Sequence, residues 1–170
     1  MGISPSKRVS AILSTSPDFN SACHSVFNNC LELTQHAFPG VLPYQLTTAS
    51  DLLHSALLTY PLIARWVKSP PSRSQVDFAT RVALSRREKE EEEEVILGLD
   101  EFKAFSVNLF AEAVVASARN TMLSRVPIGV GGIVGVGVLA KSRKDLVATA
   151  VGVYALGVAT SVYLSVCGSN

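Results

Sequence analysis

The C-terminal quarter of the chain, Pro127 to Val166, restricts every fold open to the rest. It reads PIGVGGIVGVGVLA, then a basic break KSRKD, then LVATAVGVYALGVATSVYLSV, and neither apolar run contains an Asp, Glu, Lys or Arg. As a helix, Leu146 to Val166 would measure roughly 31 Å, which matches a hydrocarbon core of about 30 Å. Pro127 to Ala140 would reach only about 21 Å, so it spans only if the bilayer thins or Arg125 snorkels to the interface. Gly131 and Gly135 form a GxxxG pair, and Gly152 and Gly157 leave bare surface on the longer run. Gly129, Gly132 and Gly137 add more. Small faces of this kind let helices approach closely in lipid, whereas in a soluble helix each glycine costs roughly 1 kcal/mol. Gly131, Gly135, Gly152 and Gly157 are therefore the predicted helix-packing positions.

Lys141, Arg143 and Lys144 separate the membrane topologies. With a cytosolic N-terminus, a two-span hairpin carries these charges to the far side, against the positive-inside tendency. A single span over Leu146 to Val166 keeps them in the cytosol. The paired glycine faces favour the hairpin, and the charges favour the single span. A third arrangement needs no membrane and makes the apolar hairpin the core of a soluble bundle.

The remainder reads as an amphipathic, all-helical protein with no strand pattern. Ser16-Pro17 suits a helix start, with Ser as the cap and Pro in the first turn. Phe19, Cys23, Val26, Phe27 and Cys30 then recur at helical spacing until Pro39-Gly40 ends the run. A second stripe runs from about Thr47 through Leu53 to Tyr60, and a short apolar piece after Pro61 holds Trp66. A Pro-rich break near 69–73 precedes a third helix capped by Ser74, and an acidic run at 88–94 follows it. Phe102, Phe105, Leu109 and Ala113 mark a last broad stripe. The expected organisation is a flexible arm over 1–15, a helical body over 16–125 and an apolar helix pair over 126–168.

Function is constrained mostly by exclusion. The net charge of +1 and the lack of a basic stripe interleaved with aromatics argue against nucleic acid. Nucleophile-elbow, P-loop, zinc-protease and C-x-x-C patterns are absent, and His24, His36 and His54 sit on separate segments. No enzymatic activity, small-molecule substrate or cofactor is expected. Gly135 to Ala140 fits G-x-G-x-x-A, but no acid follows Asp145 to bind a ribose, so a dinucleotide site is not expected. Cys23 and Cys30 would lie roughly 10 Å apart along one helix, beyond disulfide reach, which suits a reducing cytosol. The start, MGISPS, fits M-G-x-x-x-[ST], making Gly2 a candidate myristoylation site. One such chain holds a membrane weakly and needs a second anchor.

Five stretches, MGISPSKRV, LTQHAFPGVLPYQL, ARWVKSPPSRSQVD, GLDEFKAFSVNLF and GVYALGVATSVYLS, give the chain a family likeness over most of its length. It resembles a small plant family described as calcium-ion-binding or EF-hand-like. That resemblance implies a calcium loop ending at Glu101. Its first, third and fifth positions are then Glu90, Glu92 and Glu94, and Leu97 is the apolar eighth. The sixth is Val95, where the loop's sharp turn ordinarily uses glycine.

The leading expectation is a non-enzymatic, membrane-associated helical protein that presents a cytosolic body to a protein partner. The alternatives are a calcium-binding regulatory protein using Glu90, Glu92, Glu94 and Glu101, and the soluble bundle with the hairpin as its core.

Overall fold

A computed structural model describes residues 4–85, 95–139 and 144–167. Among the described residues the fold is all-α, with helices α1 (Pro5–Thr15), α2 (Pro17–Leu33), α3 (Leu46–Ala56), α4 (Pro61–Trp66), α5 (Arg73–Leu84), α6 (Leu99–Leu139) and α7 (Lys144–Cys167). The chain divides into two compact units, Met1–Val115 and Ala116–Asn170. The boundary therefore falls ten residues before the expected one, inside α6.

The start of the chain departs from the expected flexible arm. Ser4 caps α1 by accepting a hydrogen bond from the Lys7 amide at 3.4 Å, and Pro5 occupies the first turn. Val9 and Leu13, one turn apart, are fully buried. Ser6 Oγ donates to Glu112 Oε1 on α6 at 2.6 Å, which pins the first turn to the body. The Ser-Pro signal at 4–5 is the same one that starts α2 at 16–17, where Ser16 Oγ accepts from the Phe19 amide at 3.3 Å.

The core of the first unit forms between α2 and the N-terminal part of α6. Phe19 meets Phe110 edge-on with centroids 6.2 Å apart, and Phe27 meets Phe102 at 5.8 Å. Moving two turns forward along α2 moves two turns back along α6, so the helices run antiparallel. Phe102, Phe105, Leu109, Phe110 and Val114 are buried on α6, and Phe19, Cys23, Val26, Phe27 and Cys30 on α2. Aromatic pairs in such tilted geometries add roughly 0.5–1.5 kcal/mol beyond their buried area.

Shorter elements close this core. α3 contributes Leu46, Ala49 and Leu53, and α4 contributes Leu62, Ile63 and Trp66. His54 is buried, with Nε2 2.8 Å from the Val67 carbonyl, which is a structural role. α5 starts two residues earlier than the Ser74 cap predicts. Ser72 caps it, and Gln75 Oε1 returns a bond from the Ser72 amide at 2.8 Å, completing a capping box.

In the second unit, α6 continues through Pro127 to Leu139 without the separate short helix expected there. Proline lacks one amide donor, and the rest of the helix ladder carries on around it. Gly129 faces Tyr154 of α7 so closely that a Cβ at 129 would overlap the tyrosine ring. The two residues stand at equal distance from the facing ends of α6 and α7, so the helices turn back along one another to that contact.

Candidate functional site

Two regions carry chemistry that the fold alone does not explain. The first is α7. Its stretch Val147–Val166 has a mean hydropathy of 1.7 and is long and apolar enough to cross a membrane, yet only 6% of its most apolar window is buried. Val153, Leu156 and Leu164 are 66%, 69% and 59% exposed. A helix that serves as the core of a soluble bundle is mostly covered, and this window is not. Among the described residues one helix meets the length and composition for a span, not two.

Three of the four predicted packing glycines have open space beside them in this structure. Nothing lies within 4 Å of a Cβ built at Gly131, Gly152 or Gly157. Gly135 lies on α6, and its surroundings fall outside the described side chains. The close helix contact instead uses Gly129, which the sequence offered only as one more bare position. Spacing reveals which faces are small but not which face another helix meets.

The second region is a pair of loops. The segment 34–45 leads from α2 to α3, and the segment ending at Gly98 leads into α6. They meet through an antiparallel bridge in which the Val41 amide donates to the Leu97 carbonyl at 2.9 Å and the Leu97 amide donates to Val41 at 2.8 Å. Val41 and Leu97 are both fully buried. Gly40 makes the approach possible, because a Cβ there would overlap the Leu97 carbonyl and come within 2.7 Å of Ile96 Cγ2.

Each loop then makes the same local bond. Gln45, four residues after Val41, accepts from the Leu42 amide through Oε1 at 3.0 Å. Glu101, four residues after Leu97, accepts from the Gly98 amide through Oε2 at 3.0 Å. Gln45 also donates through Nε2 to the Cys30 carbonyl at 3.1 Å, tying the loop to the end of α2. A carboxylate in the first turn of α6 further complements the positive end of the helix dipole.

Known proteins add nothing to this geometry. Searches of family models, curated proteins and solved structures each return no match. Of the expected calcium ligands, Glu90, Glu92 and Glu94 lie outside the described residues, as does the lipidation candidate Gly2. Among the described residues no group of three or more His, Cys, Asp or Glu side chains is placed to hold a metal ion.

Cys23 and Cys30 behave as core residues. Cys23 is fully buried, and burial pushes its thiol up to about 11, against weaker opposing effects from Ser106 and Lys103. Burial raises the Cys30 thiol as well. Thiols held in the neutral form are poor nucleophiles.

Proposed function

We propose that the chain is a non-enzymatic membrane-associated protein, with α7 in the bilayer and the helical body on the cytosolic side, where it is presented to a protein partner. The observation that carries this reading is the exposure of α7: a window of mean hydropathy 1.7 that is only 6% buried. A helix of that composition inside a soluble core would be mostly covered. Left in water, its apolar surface would drive association, and lipid is the solvent that suits it.

Lys141, Arg143 and Lys144 precede the span, and the positive-inside tendency puts that end in the cytosol with the body. A myristoyl group on Gly2 would supply a second anchor. Tyr44 and Phe78, 72% and 60% exposed on the body, are side chains of the kind enriched where proteins meet.

Alkaline carbonate extraction of membranes from cells expressing the full chain tests the proposal. The chain is expected to remain in the pellet, and removal of residues 147–166 is expected to release it. Recovery of the intact chain in the supernatant would end the membrane reading.

A further inference from the structure

The two loops are tied twice in the same way. A bridge residue, Val41 or Leu97, exchanges both backbone hydrogen bonds with its opposite number. The next residue, Leu42 or Gly98, donates its amide to a side chain three positions on, Gln45 or Glu101, each at 3.0 Å. The resulting unit has an approximate internal two-fold pattern: bridge residue, capped amide, helix. Sequence similarity between LTQHAFPGVLPYQL and GLDEFKAF does not reveal it, because the repeated elements are mainly backbone groups.

From this we infer that Gln45 and Glu101 are equivalent positioning residues, which hold the Val41–Leu97 bridge closed and couple the two loops without a bound cation. The argument is chemical. The last position of a calcium loop takes a carboxylate that binds through both oxygens, and an amide, with a single oxygen, cannot take its place. An acceptor for a backbone amide can be either one. At the first loop the position is filled by Gln45, a neutral amide, and it makes the same bond as Glu101 at the same distance. The function common to both positions is therefore acceptance of the N–H. An amide left unpaired beside the buried bridge would carry a desolvation penalty, so each bond favours the bridged arrangement.

Coupling follows from the shared bridge. Releasing Leu42 frees the loop that carries Val41, and Val41 supplies both partners of the Leu97 backbone. A change at Gln45 is therefore felt at Leu97, and a change at Glu101 at Val41.

Amide hydrogen exchange of the full chain in detergent micelles tests the inference, read at Val41 and Leu97. Both amides are expected to be protected equally in millimolar calcium and in chelator. Glu101→Gln is expected to keep that protection, whereas Glu101→Ala and Gln45→Ala each lower it at both amides by about tenfold. Protection that requires calcium, or that falls in Glu101→Gln as far as in Glu101→Ala, would overturn the inference in favour of a cation ligand. Unchanged protection in both alanine variants would overturn it as well. The calcium and chelator comparison uses the unmodified chain, so it decides the matter even if an alanine variant does not fold.

Discussion

Gly40 lies so near Leu97 that a single added methyl group would overlap the carbonyl oxygen of the Val41–Leu97 bridge. The loops meet there only because position 40 has no side chain. At Gly98, on the other side of the bridge, an added Cβ would come no closer than 4.0 Å to Glu101 Oε2. Gly40→Ala is therefore expected to destabilise the chain by about 1–3 kcal/mol, and Gly98→Ala to change stability by under about 1 kcal/mol. Denaturant melts followed by helical circular dichroism would separate the two, and equal effects would contradict the close approach.

The end of α2 stores strain that can be removed. Gln35 and His36 have φ of 52° and 57°, a left-handed conformation that disfavours side chains other than glycine or asparagine. Gln35→Gly is expected to raise stability, or at least to leave it unchanged, despite the entropy that glycine adds to the unfolded chain. A clear loss in the midpoint of unfolding would show that the Gln35 side chain contributes more than its backbone costs.

Cys23 gives the body an alkaline limit. Its thiol is raised from 9.0 to about 11 by burial. Below pH 9 the thiol is neutral in both folded and unfolded chains, so its contribution is intact. Between pH 9 and 11 the unfolded chain ionises first, and stability falls by up to about 2–3 kcal/mol. Cys23→Ala should flatten that part of the stability profile, after allowance for the lost packing. In the folded chain at pH 8, alkylation of Cys23 is expected to proceed only through unfolding.

Charge on α7 should separate anchoring from folding. Leu156 is 69% exposed near the middle of the candidate span, so Leu156→Arg disturbs little within the chain. In a bilayer the same change costs about 2.5–3.5 kcal/mol at mid-depth. Membrane partition is expected to drop while exchange protection at the α2 and α6 phenylalanines is retained. Loss of protection there would mean that α7 supports the core, and not an anchor.

Side-chain patterns made much of this fold legible. Ser16-Pro17 and the stripe from Phe19 to Cys30 define α2, and Phe102 to Leu109 define the buried face of α6. The same Ser-Pro signal stood at Ser4-Pro5, but the run behind it buries only Val9 and Leu13 fully, too short a stripe to distinguish a docked helix from an arm. The loop pair was illegible for a different reason. Val41 and Leu97 recognise one another through an amide and a carbonyl, groups that every residue except proline carries, so no residue type marks the partnership. At Gly129 the helix contact depends on the register of Tyr154 on α7, which glycine spacing within α6 cannot report.

The docking of α1 sets the length of any leash at the front of the chain. Ser6 is fastened to Glu112, and the helix begins at Pro5. An acyl group on Gly2 would have only the three residues before Pro5 as slack, at most about 10 Å of chain. Such a lipid could not let the body drift in the cytosol as on a long tether. It would draw the first turn of α1, with Lys7 and Arg8, down to the headgroups and fix which side of the body faces the bilayer.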